Sequence, residues 1–595
     1  MTYILLGLVM THIILGKEVG NGREVGFDSD GLARHLHLIG ATGSGKTTAL
    51  LTILRQILTA THEKACIFVI DPMGNLSRDL LRWMANTRYC PSGVRRRLLY
   101  IEAARENIVM PFNPLIHESA AHEYYQVERA ISLVLRAWES QELSAMPRLR
   151  KWCFAAFLSV ARMRLPIAVC EYLLQPGCPE HDALIGKLPP DIRYEWQEIL
   201  RAKGSEAIRI LESTRNRLDP FFRSVILKRM FGSRTSNFDV ERFIRERRIV
   251  ILNLESARRL PEHLAGAIGG LALNEVFQAS MRMNRADVQP TYLILDEFQT
   301  FISPDVYAAI PTVRQQGLRL VLSHQSFSQL EQGDIDLTGL IWQPRNRIAF
   351  ACDSDDADTL AHEFATHTFD PMRIKHQLMS HRQRIAGYRK ELLQTWATTL
   401  STGRKKETSR SNNQSEQQSE SREYDDINRP TRTRGLGKTS SRGDSEGTNE
   451  GESTSSGKHV VNVPIHEDVE ELSSVTFKSF DEERIEWGRR IPTQSTGQAV
   501  AKFYNDPKLY DVAIDEDPIP DSRRLQEAME ELIQKNFESD VFVSAARLDI
   551  EAEEIRLSLF QSSPIIVPGP AGQLRLPAGP STKNGGDHAD PSGLE

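Results

Sequence analysis

Short apolar runs recur along the chain and alternate with stretches of helical periodicity. The runs are residues 35–40 (HLHLIG), 65–71 (ACIFVID), 97–102 (RLLYIE), 249–254 (IVILNL), 292–296 (YLILD), 319–323 (RLVLS) and 345–351 (RNRIAFA). Runs of this length without strict polar alternation predict strands buried on both faces, as in a parallel sheet. Helix-compatible stretches such as 49–58 and 264–281 lie between them. The pattern therefore predicts an α/β core, a mostly parallel sheet with helices on its faces.

Two stretches break the alternation. Residues 117–237 carry long helical periodicities and few β-branched runs, which predicts an all-α insertion domain. Residues 401–458 collapse to Ser, Thr, Gly, Gln, Asn, Glu and Arg. Such a composition cannot bury enough surface to offset its ordering entropy and predicts a disordered segment. A late strand is expected at 497–504 (GQAVAKFY) and a helix at 521–537. The expected division is core, first part, at 1–116, insertion at 117–237, core, second part, with the carboxylate pair Asp296–Glu297 at 238–400, disordered linker at 401–458, end of core at 459–520, small helical appendage at 521–562 and flexible tail at 563–595.

The first sixteen residues (MTYILLGLVMTHIILG) are apolar, but Thr11 and His12 interrupt a run already short for a bilayer. No basic region precedes it and no small-residue cleavage site follows. A strand over 11–15 is expected, with no integral membrane segment and a cytoplasmic location, peripheral to the inner membrane if a partner anchors it.

Of 595 residues, 40% are hydrophobic and 26% charged, with a formal net charge of -6. This balance supports a large core and excludes a polycationic nucleic-acid coat, so any DNA contact must use local basic surface. Candidate clusters are 148–151, 215–234 (with Arg217, Arg223, Lys228 and Arg229) and 245–248; each is equally an ordinary solvated helix face. No helix-turn-helix or zinc-finger pattern is present, which predicts little sequence specificity. The six cysteines form no CxxC pair, against a zinc module or disulfide scaffold.

The chemistry concentrates in three places. Gly40-Ala41-Thr42-Gly43-Ser44-Gly45-Lys46-Thr47, followed by Thr48, fits the phosphate-loop pattern between an expected strand and helix. Its glycines let backbone N–H groups face phosphates, and the helix N-terminus adds partial positive charge. Lys46 supplies a point charge, and the Thr47 hydroxyl is placed to ligate Mg²⁺. The run 292–296 ends in Asp296 and Glu297. Asp296 suits the Mg²⁺ ion and Glu297 suits activation of an attacking water. His324 and Gln325 follow the run 319–323, and in a doubly wound sheet Gln325 can reach the γ-phosphate or that water. The bland reading of Gln325 is a polar cap on a loop.

The set RHLHLIGATGSGKTT, FVIDPMGNL at 68–76, FNPL at 112–115, LILDEFQ at 293–299 and VRQQGLRLVLSHQSFSQL at 313–330 resembles the HerA/FtsK superfamily of DNA-pumping ATPases. Within it the TraG/TraD-type coupling proteins of type IV secretion are the nearest likeness. FDVERFIRERRIVILNL at 238–254 and TGQAVAKFY at 496–504 add to it. The resemblance implies a RecA-like P-loop NTPase core, ATP with Mg²⁺ bound between subunits of a homohexamer, and DNA threaded through the ring. It also implies that Gln325 is the glutamine after the sensor strand. Arg314 would be an arginine aimed at the neighbour's γ-phosphate, with Arg319 and Arg345 as competitors. Coupling proteins usually carry transmembrane helices before the core, whereas this chain begins almost at the core, which puts docking at a membrane channel in doubt.

The leading expectation is an ATP-driven DNA translocase. Alternatives are an ATPase energising protein secretion or assembly, with channel or relaxase-type partners, and a nucleotide-gated scaffold for a defence effector.

Overall fold

The seven apolar runs become the parallel strands of an eleven-stranded sheet. Its strands in chain order are β1 (His12–Glu18), β2 (Glu24–Asp28), β3 (Leu36–Ile39), β4 (Cys66–Asp71), β5 (Leu98–Glu102), β6 (Ile249–Asn253), β7 (Thr291–Leu295), β8 (Leu318–His324), β9 (Asn346–Phe350), β10 (Gln498–Lys502) and β11 (Leu509–Ile514). The spatial order is β2-β1-β11-β10-β9-β3-β8-β7-β4-β6-β5. The seven strands from β9 to β5 are parallel, and β10, β11, β1 and β2 extend the sheet by antiparallel pairing. The computed structural model describes residues 4–5, 8–9, 12–60, 65–116, 120–136, 147–202, 204–255, 259–283, 289–301, 316–332, 335–336, 338–401, 422–424, 430–432, 451–516, 519 and 521–561.

Every residue of β3, β4, β6, β7 and β9 is buried. Their period-two alternation sends side chains to opposite faces. Ile67, Val69, Ile251 and Ile294 pack with α1 (Lys46–Ala60) and α2 (Asn75–Ala85) on one face. Phe68, Val250, Leu293 and Leu322 pack on the other, with the apolar helix Glu262–Arg282. This is the α/β fold the apolar runs predict, a mostly parallel sheet with helices on both faces.

The helices between β5 and β6 form the all-α insertion. Its core is aromatic: Trp152 and Trp196 rings lie 5.8 Å apart, and the Trp196 indole N–H donates to the Ser159 hydroxyl at 2.9 Å. Among the described residues, no helix is long and apolar enough to cross a membrane.

Two boundaries differ from expectation. Met372–Lys478 separates as a compact unit of its own. In it, strands Ile374–Ser401 and Gly451–Phe477 pair antiparallel along their whole length. The core therefore does not continue to 400 or resume at 459, and residues 451–458 belong to a strand. The physical reason is long-range: composition marks a polar loop but does not reveal that its two flanks pair. Most of the segment expected to be disordered, and the tail 563–595, lie outside the described residues.

The C-terminal helices Arg523–Asn536 and Ala545–Ser558 lie in the stretch expected as a small helical appendage, and they pack against the rest of the chain. The Asn536 amide accepts from Tyr100 N and donates to Tyr100 O, both at 2.8 Å, closing the edge of β5 as a neighbouring strand would. Val543–Ser544 pairs with Ile108–Val109, and Arg229 makes a two-pronged ion pair with Asp549 at 2.8 Å. The segment thus ties the sheet to the helical insertion.

Candidate active site

Adjacent parallel strands deliver the expected site residues to one crevice. The neighbours β3, β8, β7 and β4 end beside one another, with Ile39 opposite His324 and Leu295 opposite both Leu322 and Ile70. The residue following each strand then carries chemistry: Gly40 after β3, Gln325 after β8 and Asp296 after β7, with Asp71 closing β4. This is the carboxyl-end crevice in which open α/β sheets place ligands.

The loop 40–47 turns tightly. Gly43 and Gly45 hold φ of 76° and 115°, a region that disfavours any side chain. A Cβ on Gly40 would meet Phe350 Cβ at 2.5 Å. Neighbours fix the loop from outside: Ala41 N donates to Ala351 O at 2.7 Å, and Gly497 N donates to Ser44 O at 2.9 Å. The Lys46 ammonium, nearly buried, caps the loop's own carbonyls, donating to Gly40 O at 2.6 Å and Ala41 O at 3.1 Å. Burial lowers its pKa, while Glu297 and Asp296 oppose that shift. The Ser44 hydroxyl is buried without a protein partner, an orphan facing the same problem that a bound phosphate oxygen would solve.

Asp296 is buried, and desolvation with the neighbouring Asp71 and Glu297 carboxylates pushes its pKa up to about 7. A divalent cation would relieve that repulsion. The donors available, the Thr47 hydroxyl and the Asp296 carboxylate, are hard oxygens of the kind Mg²⁺ accepts beside nucleotide phosphates. Among the described residues, no group of three or more His, Cys, Asp or Glu could hold a metal by itself.

Glu297 sits at φ 45°, ψ 51°, a left-handed conformation that costs a non-glycine residue about 1–2 kcal/mol. Strain of this kind gathers at functional sites. Its carboxylate is held from both sides: Gln325 Nε2 donates to Oε1 at 2.8 Å and Gln299 Nε2 to Oε2 at 2.9 Å. Gln325 in turn accepts the Thr42 hydroxyl at 2.8 Å. A chain of hydrogen bonds therefore runs from the phosphate loop through Gln325 to Glu297.

The structure brings together Gly40 to Thr48, Asp296, Glu297 and Gln325. Arg314 lies outside the described residues. Of its competitors, Arg319 donates to Ser29 O at 3.0 Å and Tyr292 Oη at 2.7 Å, committed to packing at the opposite strand end. Asp71, Ala351 and Gly497 have no named role in the sequence reading. Asp71 accepts from Met73 N, Gly74 N and Ser77 N, anchoring α2 beside the site. Its signal was the carboxylate ending an apolar strand, the same signal that marks Asp296. The basic clusters are largely spent on ion pairs: Lys151 with Glu198, Lys228 with Glu171, Arg245 with Glu241 and Arg248 with Glu246.

Residues 13–265 match the family model for the central domain of helicase HerA. No curated protein matches the chain at a significant level. Among solved structures, the plasmid coupling protein TrwB in complex with ADP and Mg²⁺ is similar at 14% identity and a TM-score of 0.46, over 88% of this chain and 99% of that one. The unbound monoclinic form of the bacterial conjugative coupling protein TrwBdeltaN70 gives 15% identity and 0.44, over 84% and 88%. VirB4 of Thermoanaerobacter pseudethanolicus gives 14% and 0.39, over 60% and 88%. The matched span runs from β1 through the phosphate loop and the helices after β5 to beyond β6, and over it the chain is similar to the HerA central domain, in line with the resemblance in its motifs.

Proposed function

We propose that this protein is an ATP-hydrolysing motor that moves DNA through a ring of six copies. The observation that carries the catalytic half is the hydrogen-bond chain Thr42–Gln325–Glu297 beside Lys46 and Asp296. The loop N–H groups and Lys46 bind the phosphates, and Lys46 exchanges its two loop carbonyls for phosphate oxygens. Thr47 and Asp296 would hold Mg²⁺, which supplies charge neutralisation at the β- and γ-phosphates. Glu297 orients a water and takes its proton, and Gln325 fixes the Glu297 carboxylate. An active water-ordering carboxylate favours hydrolysis over phosphoryl transfer to a small molecule. Arg314 from a neighbouring copy is the arginine finger of this reading, which makes turnover depend on assembly.

The moving of DNA rests on the HerA match and the motif resemblance. One observation favours the protein-secretion or assembly reading instead: the expected basic clusters are paired with carboxylates rather than presented for phosphate. Steady-state ATP hydrolysis with and without single- and double-stranded DNA separates the two. The motor reading expects stimulation that grows with DNA length. Turnover indifferent to every DNA moves the assignment to a protein partner.

A further inference from the structure

The compact unit Met372–Lys478 is built on one ribbon, in which Ile374–Ser401 (28 residues) and Gly451–Phe477 (27 residues) pair antiparallel from Ile374 opposite Phe477 to Ser401 opposite Gly451. At roughly 3.4 Å per residue such a ribbon is about 90 Å long. Among the described residues its sheet holds these two strands alone. Every second residue of each strand therefore turns its N–H and C=O outward, along an edge that can accept another strand. A two-stranded hairpin is marginal by itself in water. Both faces also expose apolar side chains over one stretch: Tyr388, Leu392 and Val460 on one face, Leu393, Val461 and Ile465 on the other.

The two edges differ in charge. Over 374–394 the cations are Lys375, Arg382, Arg384, Arg389 and Lys390, against Glu391 alone. Over 456–477 the carboxylates are Glu467, Asp468, Glu470 and Glu471, against Lys458 alone. The register sets the two groups level, with Ser380 opposite Glu471 and Arg384 opposite Glu467. Within the ribbon they satisfy one another weakly. Arg382 meets Glu471 and His381 meets Glu470 only at 3.9 Å, with side chains 63–82% exposed, and exposed pairs of this kind contribute little.

This asymmetry selects what lies along the edges. Two ribbons joined edge to edge by a twofold would set basic strand against basic or acidic against acidic, and like charges directly opposite destabilise a sheet. A copy repeated by rotation about an axis along the ribbons instead brings its 467–471 beside 380–384 of the first, again antiparallel. That contact is heterologous, and a rotation that closes makes a ring of it. We propose that the ribbon is an assembly element: strand 374–401 of each copy pairs with strand 451–477 of the next, and the ribbons close into a β-barrel without free edges. The proposal rests on the ring of the proposed function and adds to it a contact made by residues outside the span matched to the HerA central domain.

The test is the assembly state of the full chain with Mg-ATP, by sedimentation velocity at fixed ionic strength. Arg382→Glu with Arg384→Glu makes both edges acidic at this level. Glu467→Lys with Glu470→Lys and Glu471→Lys makes both basic. Each variant alone should self-associate at least about tenfold more weakly than wild type. An equimolar mixture of the two should regain the wild-type assembly, because acidic edges then meet basic ones although each ribbon keeps its own internal repulsion. That recovery also excludes misfolding as the cause of the loss. If wild type assembles, variants that assemble equally well, or a mixture that does not recover, would overturn the ribbon contact and leave the ring standing. Wild type that stays monomeric at every concentration would overturn the ring and the ribbon together.

Discussion

His324 and His37 meet Nε2 to Nε2 at 2.7 Å, both fully buried between the strand that feeds the phosphate loop and the strand that feeds Gln325. The tautomers follow from the partners. His324 Nδ1 lies 3.0 Å from Ser326 O, which can only accept, so His324 is protonated at Nδ1 and its Nε2 takes the His37 Nε2–H. The pair works only while both rings are neutral. Burial keeps them so, lowering His324 to about 3 and His37 well below 6.5, with the buried Arg347 adding to both and Lys46 to His324.

A stability consequence follows. In the unfolded chain these rings take protons below pH 6.5, the value they carry without burial, while the folded rings refuse them. The unfolded state therefore binds more protons as pH falls, and stability present above 6.5 is lost towards 3. Each ring contributes at most about 1.4 kcal/mol per pH unit across that window. Denaturant unfolding at about pH 5 and 6 should show a pH slope that shrinks in the double variant His37→Phe, His324→Leu. An unchanged slope would show that the pair does not titrate on unfolding.

Lys46 and Glu297 should fail in different ways. Lys46→Ala removes charge from the phosphate cradle, so nucleotide binding and turnover fall together. Glu297→Gln keeps the cradle and loses the base, so ATP stays bound while kcat drops by about 10² to 10⁴-fold. Gln325→Ala frees one oxygen of the Glu297 carboxylate, on a residue whose backbone is held at φ 45°, so kcat should fall with KM little moved. Nucleotide titration beside steady-state kinetics separates these outcomes. Equal loss of ATP binding in the Lys46 and Glu297 variants would remove the role given to Glu297.

Much of this site was legible from the chain because its chemistry is local. A strand, a glycine turn and a helix start are contiguous in 36–60, and the carboxylates and Gln325 stand at ends of runs that are apolar on both faces. What was not legible is whatever depends on pairing across long separations. The ribbon of Ile374–Ser401 with Gly451–Phe477 and the Tyr100–Asn536 closure are such cases. So is the antiparallel extension, where β1 meets β11 nearly five hundred residues away and only the register shows it.

Gly497 is another such contact. It sits at φ 79° ahead of β10, its N–H on Ser44 O at 2.9 Å and its Cα 3.0 Å from where a Cβ on Gly45 would stand. Among the described residues no atom lies within 4 Å of where a Cβ on Gly497 would stand, so Gly497→Ala tests backbone strain. It should cost about 1–2 kcal/mol of stability and weaken nucleotide binding by loosening the loop. Denaturant unfolding with ADP titration reads both effects, and an affinity unchanged despite the stability loss would mean the loop keeps its shape without this prop.

Arg347 and Lys502 face each other directly across the β9–β10 pair, two like charges that would repel. Glu363, from the helix Ser354–Thr368, resolves the conflict by ion-pairing with Arg347 through one oxygen and with Lys502 at 2.6 Å through the other. The Arg347 side chain is only 2% exposed, so its charge cannot turn to water when the acid is lost. Glu363→Gln should therefore cost about 3–5 kcal/mol, mostly the price of an unpaired buried guanidinium. Replacing both partners, Arg347→Met with Glu363→Gln, removes that stranded charge and should recover a large part of the loss. Chemical denaturation of the single and double variants decides the matter: a double variant no more stable than Glu363→Gln alone would show that packing of the Arg347 stem, not its charge, is what this corner of the sheet requires.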